Sequence, residues 1–318
     1  MPADDAISLA QAAVLGLVEG ITEYLPISST GHLVLTSWIL SLDRPPELKH
    51  SVDAFCIVIQ GGAILAVLGL YRATALRIVR GLLGKDNAGF ALLVNLGIAF
   101  VPAAVLGLLF DDWIEARLFR AGPVLAALFI GGVFMIALDM RRRGRFGPPK
   151  YHALSNKTVY DVTPRQALTV GLLQVFSLWP GTSRSMMTIT GGLIAGLPAR
   201  AAAEFSFLLG VLTLTAATGY TLVKNLVHAH RTGTPSMVDT LGVAPILVGI
   251  VVAAASAAVT VKWLVGFLNR RGLAPFGWYR IVLAVVLAAL MWNGALTLAP
   301  DDTRPISEHR EVGASGAR

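Results

Sequence analysis

Long apolar stretches, separated by short polar ones, dominate the pattern of this chain. Since a membrane-crossing helix needs about 20 mostly apolar residues, the pattern predicts six transmembrane helices in an all-α polytopic membrane protein. The stretches cover residues 52–71, 88–110, 121–140, 203–223, 241–265 and 279–298. The composition agrees with this prediction, because only 14% of the residues are charged, whereas soluble domains carry about 25%.

Two further apolar regions, 7–41 and 164–200, are interrupted in the middle by Pro, Gly, Ser and Thr. The interruptions read Tyr24-Leu25-Pro26-Ile27-Ser28-Ser29-Thr30-Gly31-His32 and Trp179-Pro180-Gly181-Thr182-Ser183-Arg184-Ser185. Helices break at such sequences, and non-helical backbone at membrane depth is tolerated only where it lines a cavity or is buried in protein. The pattern therefore predicts two re-entrant helical hairpins.

The two interrupted regions resemble each other in sequence. At a constant offset of 155 residues, Gln11, Gly16 and Glu19 match Gln166, Gly171 and Gln174. After one gap, Pro26, Ser28 and Ser29 match Pro180, Thr182 and Ser183. Each half then holds one hairpin and three spans, and because three is odd the halves insert with opposite orientation. This arrangement is an inverted-topology repeat, in which the two broken regions meet near the midplane.

The repeat organises the whole chain. It predicts a first repeat (1–140), a cytoplasmic basic linker (141–163), a second repeat (164–300) and a disordered polar tail (301–318). The small-residue pairs Gly61-Gly62 and Gly131-Gly132 permit close helix packing, either within one chain or between the two chains of a homodimer.

Basic residues concentrate in the loops on one side of the predicted membrane protein. They follow the first and third spans and precede the sixth, and include Arg72, Arg77, Arg80, Lys85, Arg141, Arg142, Arg143, Arg270, Arg271 and Arg280. The positive-inside rule makes this side cytoplasmic and explains the net charge of +7 without nucleic-acid binding. The single cysteine, Cys56, excludes an intramolecular disulfide and a thiol cluster for zinc.

Two acidic residues in the first hairpin are candidates for function, because an ionisable group inside a membrane costs about 2.5–3.5 kcal/mol. Glu19 and Glu23 are four residues apart and therefore share one face of a helix. Carboxylates that close repel each other unless a cation or a shared proton lies between them. A hard divalent cation, Mg²⁺ or Ca²⁺, fits the pair, because such ions take oxygen ligands. The alternative is that both acids face water at the hairpin mouth.

A run of hydroxyl residues follows in the same hairpin. Ser28, Ser29 and Thr30 are expected to cap the helix that begins near His32, and the free N–H groups of such a helix end suit a phosphate. Ser29 and His32 are three residues apart, so one helical turn brings them onto one face, where they can form a nucleophile–base pair. The alternative is a structural, hydrogen-bonded His32.

The second hairpin carries one basic residue, Arg184, between Ser183 and Ser185. A guanidinium there can hold phosphate oxygens by two parallel hydrogen bonds and balance charge as a bond breaks. The alternative is a salt bridge from Arg184 to Glu19 or Glu23, which would also bring the two hairpins together.

Two further polar residues are weaker candidates for the same site. Thr188 lies one helical turn after Arg184, on the same face. Gln60 lies inside the first span, from where it can hydrogen-bond toward the cavity.

At these residues the sequence resembles the undecaprenyl-diphosphate phosphatase family, the integral membrane type once linked with bacitracin resistance. The matching stretches are residues 16–32 and 180–188, and the first of them is long and specific. The order and length of the spans extend the similarity to about residue 298. The polar tail from Asp301 onward lies outside it.

The resemblance implies hydrolysis of undecaprenyl diphosphate to the monophosphate and phosphate with a divalent cation, which recycles the lipid carrier for cell-wall synthesis. It also implies an active site that opens to the outer face of the bacterial cytoplasmic membrane. Carried over residue by residue, the family's functional positions match Glu19, Glu23, Ser29, His32, Ser183, Arg184 and Thr188.

The resulting hypothesis assigns the metal to Glu19 and Glu23, and the attack on phosphorus to Ser29 or a water, with His32 as general base or acid. Besides Arg184, the residues expected to bind the phosphates are Ser28, Thr30, Gln60, Ser183, Ser185 and Thr188.

A lipid-phosphate transporter or flippase is the alternative from another class, because inverted repeats with broken helices are typical of transporters. Such a carrier would use the same arginine and helix ends to bind a phosphate. The acidic pair discriminates between the two, since a carrier of anions gains little from Glu19 and Glu23 whereas a metal-dependent hydrolase needs them.

Overall fold

A computed structural model describes residues 7–42, 46–145, 156–232 and 237–294 of the chain. Across these residues it contains twelve α-helices and two short 3₁₀ turns, at Val159–Asp161 and Phe176–Leu178. The helices are α1 (Leu9–Thr22), α2 (Ser29–Ile39), α3 (Pro46–Leu70), α4 (Arg72–Leu82), α5 (Asn87–Leu118), α6 (Ala121–Arg142), α7 (Pro164–Val175), α8 (Arg184–Ile194), α9 (Ala199–Thr232), α10 (Met237–Leu241), α11 (Val243–Arg271) and α12 (Ala274–Trp292). The tail predicted for 301–318 and the middle of the linker predicted for 141–163 lie outside the described residues.

Six of these helices are long and apolar enough to cross a membrane, namely α3, α5, α6, α9, α11 and α12. The predicted number and order of the spans are therefore confirmed for the described part of the chain. The largest difference in position is in the last span, which begins at Ala274 rather than at 279. Gly272, with a φ of 73°, ends α11, and Pro275 then occupies the first turn of α12, where no N–H is needed.

A helix, α4, occupies the segment after the first span, where the sequence predicts a loop. It packs on α5 through Gly81, which leaves no room for a Cβ against the backbone of Phe90. Asp86 then joins the two helices, because it accepts a hydrogen bond from Arg77 Nε at 2.8 Å and caps α5 through the N–H of Gly89. The Arg77 hydrogen bond, followed by the backbone ones, lowers the pKa of Asp86 to about 2.

The two interrupted regions fold into matching pairs of helices, α1 with α2 and α7 with α8. Residue n of the first pair corresponds to residue n+155 of the second, since α2 starts at Ser29 and α8 at Arg184. The first helix of each pair has the same capping box, formed by Ser8 with Gln11 and by Thr163 with Gln166. The same offset therefore describes both the sequence match and the helix starts.

The structure corrects one detail of the predicted alignment, the gap before the second helix of each pair. Without a gap, Ser28 corresponds to Ser183, and each is the N-cap of its helix with a φ of 75°. Aligning the prolines instead shifts the second half by one residue, because Pro26 and Pro180 do not occupy equivalent positions. The shared backbone conformation of the two caps is the stronger criterion, since it sets the direction of each helix.

Each broken region packs against a long helix from the other half of the chain. α1 lies on α11 and α7 lies on α5, while α6 pairs with α12 and α3 packs against both α9 and α11. Glycines make the first two contacts: Gly16 lies against the Gly249 carbonyl, and a Cβ on Gly171 would lie 2.6 Å from the Ala99 carbonyl oxygen. The exchange of partners ties the two halves into one body.

The small-residue pairs mostly serve packing within the chain. Gly131 lies against the guanidinium of Arg280, Gly132 against the carbonyl of Gly277, and Gly62 against α11. Gly61 alone of the four has open space around its Cα.

Alanine at Gly16 or Gly171 is expected to lower the thermal unfolding temperature of the purified protein, because overpacking costs about 1–3 kcal/mol. Gly97→Ala is the matched control on α5, since a Cβ there meets nothing within 4 Å. Thermal unfolding in detergent measures all three variants. An equal shift for the control would contradict the close helix contacts described above.

Candidate active site

A polar cavity of about 150 Å³ lies where the two broken regions meet. Both regions contribute to its wall, and α3 and α9 complete it. The lining residues are Glu23, Ser28, Ser29, Thr30, Gln60, Ser177, Trp179, Pro180, Gly181, Ser183, Arg184 and Leu214. Six of the residues predicted to bind the phosphates or to act on them therefore share one cavity with Glu23.

Two helix N-termini converge on this cavity. α2 begins directly after Ser28 and α8 directly after Ser183, and both caps are in the cavity wall. The first N–H groups of a helix have no partner within it, and the aligned peptide dipoles make that end positive. Two such ends at one cavity favour an anion.

Both caps hold a backbone conformation that is uncommon for serine. Ser28 and Ser183 share a φ of 75°, which costs of order 1–3 kcal/mol at a residue with a side chain. The expected cap bond forms only at Ser183, whose Oγ accepts from the Met186 N–H at 3.3 Å, whereas the Ser28 side chain caps no backbone group. Ser28 therefore occupies the predicted N-cap position of α2, but its side chain does not form the capping hydrogen bond.

Glu23 connects the two broken regions. Its Oε2 accepts the hydroxyl of Ser29 at 2.5 Å, and its Oε1 accepts from Arg184 Nη2 at 3.1 Å. The salt bridge that was left open in the sequence analysis therefore exists, with Glu23 as the partner of Arg184. The predicted pairing of Ser29 with His32 does not form, because the Ser29 hydroxyl points to the carboxylate instead.

His32 lies outside the cavity wall and uses both ring nitrogens in other contacts. Nδ1 is 2.7 Å from the Ser28 carbonyl oxygen, and Nε2 is 2.6 Å from the hydroxyl of Tyr279, whose ring is stacked on the imidazole at 5.6 Å. Since the carbonyl can only accept, Nδ1 carries the proton, and Nε2 of a neutral ring accepts from Tyr279. His32 therefore fixes the strained cap residue in place.

Glu19 is fully buried beside Glu23. Neither of its carboxylate oxygens has a hydrogen-bond partner among the described residues, and its charged neighbours are Glu23 and Arg184. Two carboxylates against one guanidinium leave an excess negative charge in a buried place, which a bound cation or proton must balance. The free oxygens fit a hard cation, although no third acid, His or Cys joins the pair among the described residues.

Arg184 lies flat against α9. Its Nη1 donates to the Ser206 carbonyl at 3.2 Å, and it lies 5.4 Å from the ring centre of Tyr24. A Cβ on Gly210 would come within 2.7 Å of the Arg184 Cζ, so only glycine leaves room for the guanidinium. Arg184 lines the cavity, and its Nε is buried without a hydrogen-bond partner among the described residues.

Two predicted phosphate ligands lie behind the cavity rather than in its wall. Ser185 is buried and donates to the Leu25 carbonyl at 2.8 Å. Thr188 is buried as well, and its hydroxyl bonds the Arg184 carbonyl at 2.9 Å and the Ser206 hydroxyl at 2.5 Å. Both hydroxyls hold the backbone that carries Arg184: Thr188 reaches back one turn to the Arg184 carbonyl, and Ser185 ties the same turn to the first broken region.

Several residues of the site were not predicted from the sequence, among them Ser177 and Leu214 of the cavity wall and three that shape the site. Trp179 lines the cavity, Tyr279 binds His32, and Arg280 is fully buried and donates to the Gly181 carbonyl at 2.8 Å. Arg280 was counted among the cytoplasmic loop charges, which is wrong, because the last span starts at Ala274. The signal was available in Gly272 and Pro275, which mark the end of one helix and the start of the next.

The guanidinium of Arg280 also fixes α6 to the cavity loop. It donates to the carbonyls of Ala127 at 3.0 Å and Leu128 at 3.3 Å. Because Gly181 is in the cavity wall, this arginine holds that wall from behind.

Comparison with known proteins assigns the chain to a family. Residues 12–286 match the family model described as bacitracin resistance protein BacA. The chain belongs to the BacA family. The match includes all but the first residues of α1 and the end of α12, so the cavity lies wholly inside the part of the chain that defines BacA proteins.

Several bacterial BacA relatives are similar over nearly their full length. An undecaprenyl-diphosphatase of Sorangium cellulosum is 45% identical over 88% of this chain and 85% of its own. Undecaprenyl-diphosphatase 2 of Rhodospirillum rubrum is 43% identical over 92% of this chain and 98% of its own. An undecaprenyl-diphosphatase of Cupriavidus metallidurans is 39% identical over 92% and 99% of the two chains.

Proposed function

We propose that this BacA protein hydrolyses undecaprenyl diphosphate to undecaprenyl phosphate and inorganic phosphate, as the names of its relatives describe. The observation that carries the proposal is the polar cavity that Glu23 lines together with Arg184 and two helix N-termini, with Glu19 buried beside it. A buried site with a positive charge and two positive helix ends suits a phosphate. The carboxylates beside it favour a hydrolase over a phosphate carrier, because a carrier of anions does not need acidic residues in its site.

Binding of the diphosphate rests on the positive side of the cavity. The first N–H groups of α2 and α8 can donate to phosphate oxygens, and Arg184 adds a positive charge to the cavity wall. Ser28, Thr30, Ser183 and Gln60 are in the same wall and complete the hydrogen bonds. These donors are fixed before substrate arrives, so they stabilise charge on the transferring phosphoryl group without reorganising.

Ser29 is the nucleophile of the proposed reaction. Its hydroxyl already donates to Glu23 at 2.5 Å, so Glu23 accepts the proton as the Ser29 Oγ–phosphorus bond forms. The bond from phosphorus to the bridging oxygen breaks, and undecaprenyl phosphate leaves with that oxygen. Glu23 gives its proton to this leaving phosphate. A water then attacks the phosphoserine and passes a proton to Glu23. The bond from phosphorus to the Ser29 oxygen breaks, Glu23 returns the proton to that oxygen, and inorganic phosphate is released.

Glu19 and Glu23 are the residues that would hold a divalent cation, Mg²⁺ or Ca²⁺. Such an ion would neutralise negative charge on the diphosphate. Without a cation or a proton, the pair has one negative charge more than Arg184 balances, which opposes the entry of an anionic headgroup.

The membrane arrangement follows from the n+155 correspondence of α1–α2 with α7–α8 and the odd number of spans in each half. We propose that the halves, 1–140 and 164–300, form an inverted repeat whose broken regions are re-entrant hairpins. The Arg-rich segments then lie in the cytoplasm, and the cavity opens toward the outer face of the bacterial cytoplasmic membrane.

Purified protein is expected to release phosphate from undecaprenyl diphosphate only with Mg²⁺ or Ca²⁺. Glu23→Gln and Glu19→Gln are each expected to lower turnover at least about a hundredfold, because that is the scale of lost acid–base or electrostatic catalysis. Phosphate release in detergent measures this. Glu204→Gln is the control, because that acid bonds Thr74 away from the cavity. No release from folded protein with any cation would favour the lipid-phosphate flippase, for which flux in liposomes is the assay.

Ser29→Ala is expected to lower turnover at least about a hundredfold, because it removes the attacking oxygen. Acid quenching of the wild-type reaction followed by mass spectrometry should reveal phosphoserine at position 29. Ser37→Ala, farther along α2, is the matched control. Normal turnover of Ser29→Ala would show that a water attacks directly.

Arg184→Ala is expected to lower turnover at least about a hundredfold, the scale of losing a transition-state donor. Gly210→Ala should cost at least about tenfold, because its Cβ displaces the guanidinium and small misplacements are expensive in catalysis. The far end of the Arg184 side chain can move, so the unfolding temperature should stay near that of wild type. Gly219→Ala on the same helix, where a Cβ meets nothing, should retain activity, and equal losses in both glycine variants would contradict the assignment.

A further inference from the structure

A second cavity, wholly lined by apolar side chains, adjoins the polar one. It has a volume of about 390 Å³ and lies between the C-terminal half of α5 and the turn that follows α7. Its lining residues are Leu106, Phe110, Trp113, Ile114, Leu118, Val175, Phe176, Leu178 and Trp179. The volume falls in the range of about 300–1,000 Å³ that is typical of small-ligand sites.

Trp179 is in the wall of both cavities. Its indole N–H donates to the Pro123 carbonyl at 3.0 Å, so the ring is held in one orientation by the start of α6. One side chain thus separates a polar, anion-favouring space from an apolar one. A molecule with a phosphate head and a hydrocarbon tail would contact both sides of it.

Among the described residues, the position in the first half that corresponds to this groove is closely packed. By the n+155 correspondence, Val175 and Trp179 are the counterparts of Gly20 and Tyr24. Gly20 is pressed against Ser256 and Ala253 of α11, without space for a Cβ, and Tyr24 is fully buried. α1 therefore closes on α11 along its length, whereas α7 separates from α5 beyond Gly171. Equivalent helix pairs therefore differ: α1 and α11 are in close contact, whereas α7 and α5 leave a groove between them.

The open side lies on the exposed surface beside a candidate membrane span. Phe110, Trp113 and Phe176 are each about half exposed, and they belong to or adjoin α5, which is a candidate span. A hydrocarbon chain can therefore pass from the polar cavity into the bilayer without crossing a polar surface. Aromatic side chains also offer large apolar faces to such a chain.

We infer that this groove binds the isoprene units next to the diphosphate of a polyprenyl diphosphate, while the rest of the chain continues into the lipid. The inference rests on the proposed function for the identity of the headgroup. Trp179 marks the boundary between head and tail, so Leu106, Phe110 and Leu118 determine how well a prenyl chain is accepted.

Photoaffinity labelling tests the groove separately from hydrolysis. Farnesyl diphosphate with a diazirine on its terminal isoprene is the probe, and the label is expected on peptides containing residues 106–118 or 175–179. Label in the groove without any hydrolysis would uphold this inference and overturn the proposed function. Label spread over other lipid-facing helices would overturn the inference.

Kinetics of groove variants give the second measurement. Leu106→Trp fills the groove and is expected to raise the KM for undecaprenyl and farnesyl diphosphate at least about tenfold, the scale of a poorly fitting hydrocarbon group. It should leave kcat/KM for the tail-less methyl diphosphate unchanged. Leu108→Trp and Leu109→Trp are matched controls, because both residues are exposed on α5 and outside the groove.

A folding failure of Leu106→Trp would be recognised by its unfolding temperature, and Leu118→Trp then takes its place. An unchanged KM for the long substrates in the folded groove variants would overturn the inference. An equal loss for methyl diphosphate would do the same, because it would place the effect at the headgroup.

Discussion

The bridge made by Glu23 is the interaction on which the rest of the site depends. One carboxylate accepts the hydroxyl of Ser29 from the first broken region and the guanidinium of Arg184 from the second. Breaking it would leave a buried charge unpaired, which is costly in any protein and more so at membrane depth. The two halves therefore cannot separate without exposing the groups proposed to bind phosphate.

Around this bridge, the polar atoms of the site are arranged in two layers. The cavity wall carries the N-termini of α2 and α8 and the charge of Arg184. The layer behind it is held by hydrogen bonds of Ser185, Thr188 and Arg280. Such a division suits phosphoryl transfer, since fixed donors stabilise developing charge best when they do not move. The strain at the two cap serines is tolerated because His32 and the internal bonds hold it.

Much of the site was predictable because a membrane makes polar residues conspicuous. Glu19, Glu23 and Arg184 stood out against apolar surroundings, where an ionisable group needs a reason. Contacts between distant segments were not predictable in the same way. The fold of the first broken region brings the Ser29 hydroxyl to Glu23 rather than to His32. Arg280 was assigned to a loop because a one-turn shift in a helix start decides whether a charge faces water or the core.

The sequence alone determined the apolar spans, the two broken regions and the chemistry of the residues in them, since hydropathy and helix breaking are local properties. Only the tertiary structure decided which donors meet which acceptors and which hydroxyls reach the cavity. It also decided that α7 parts from α5 while α1 stays closed on α11. These choices depend on helix packing at single glycines such as Gly20 and Gly210, where the absence of one Cβ sets the distance between elements far apart in the chain.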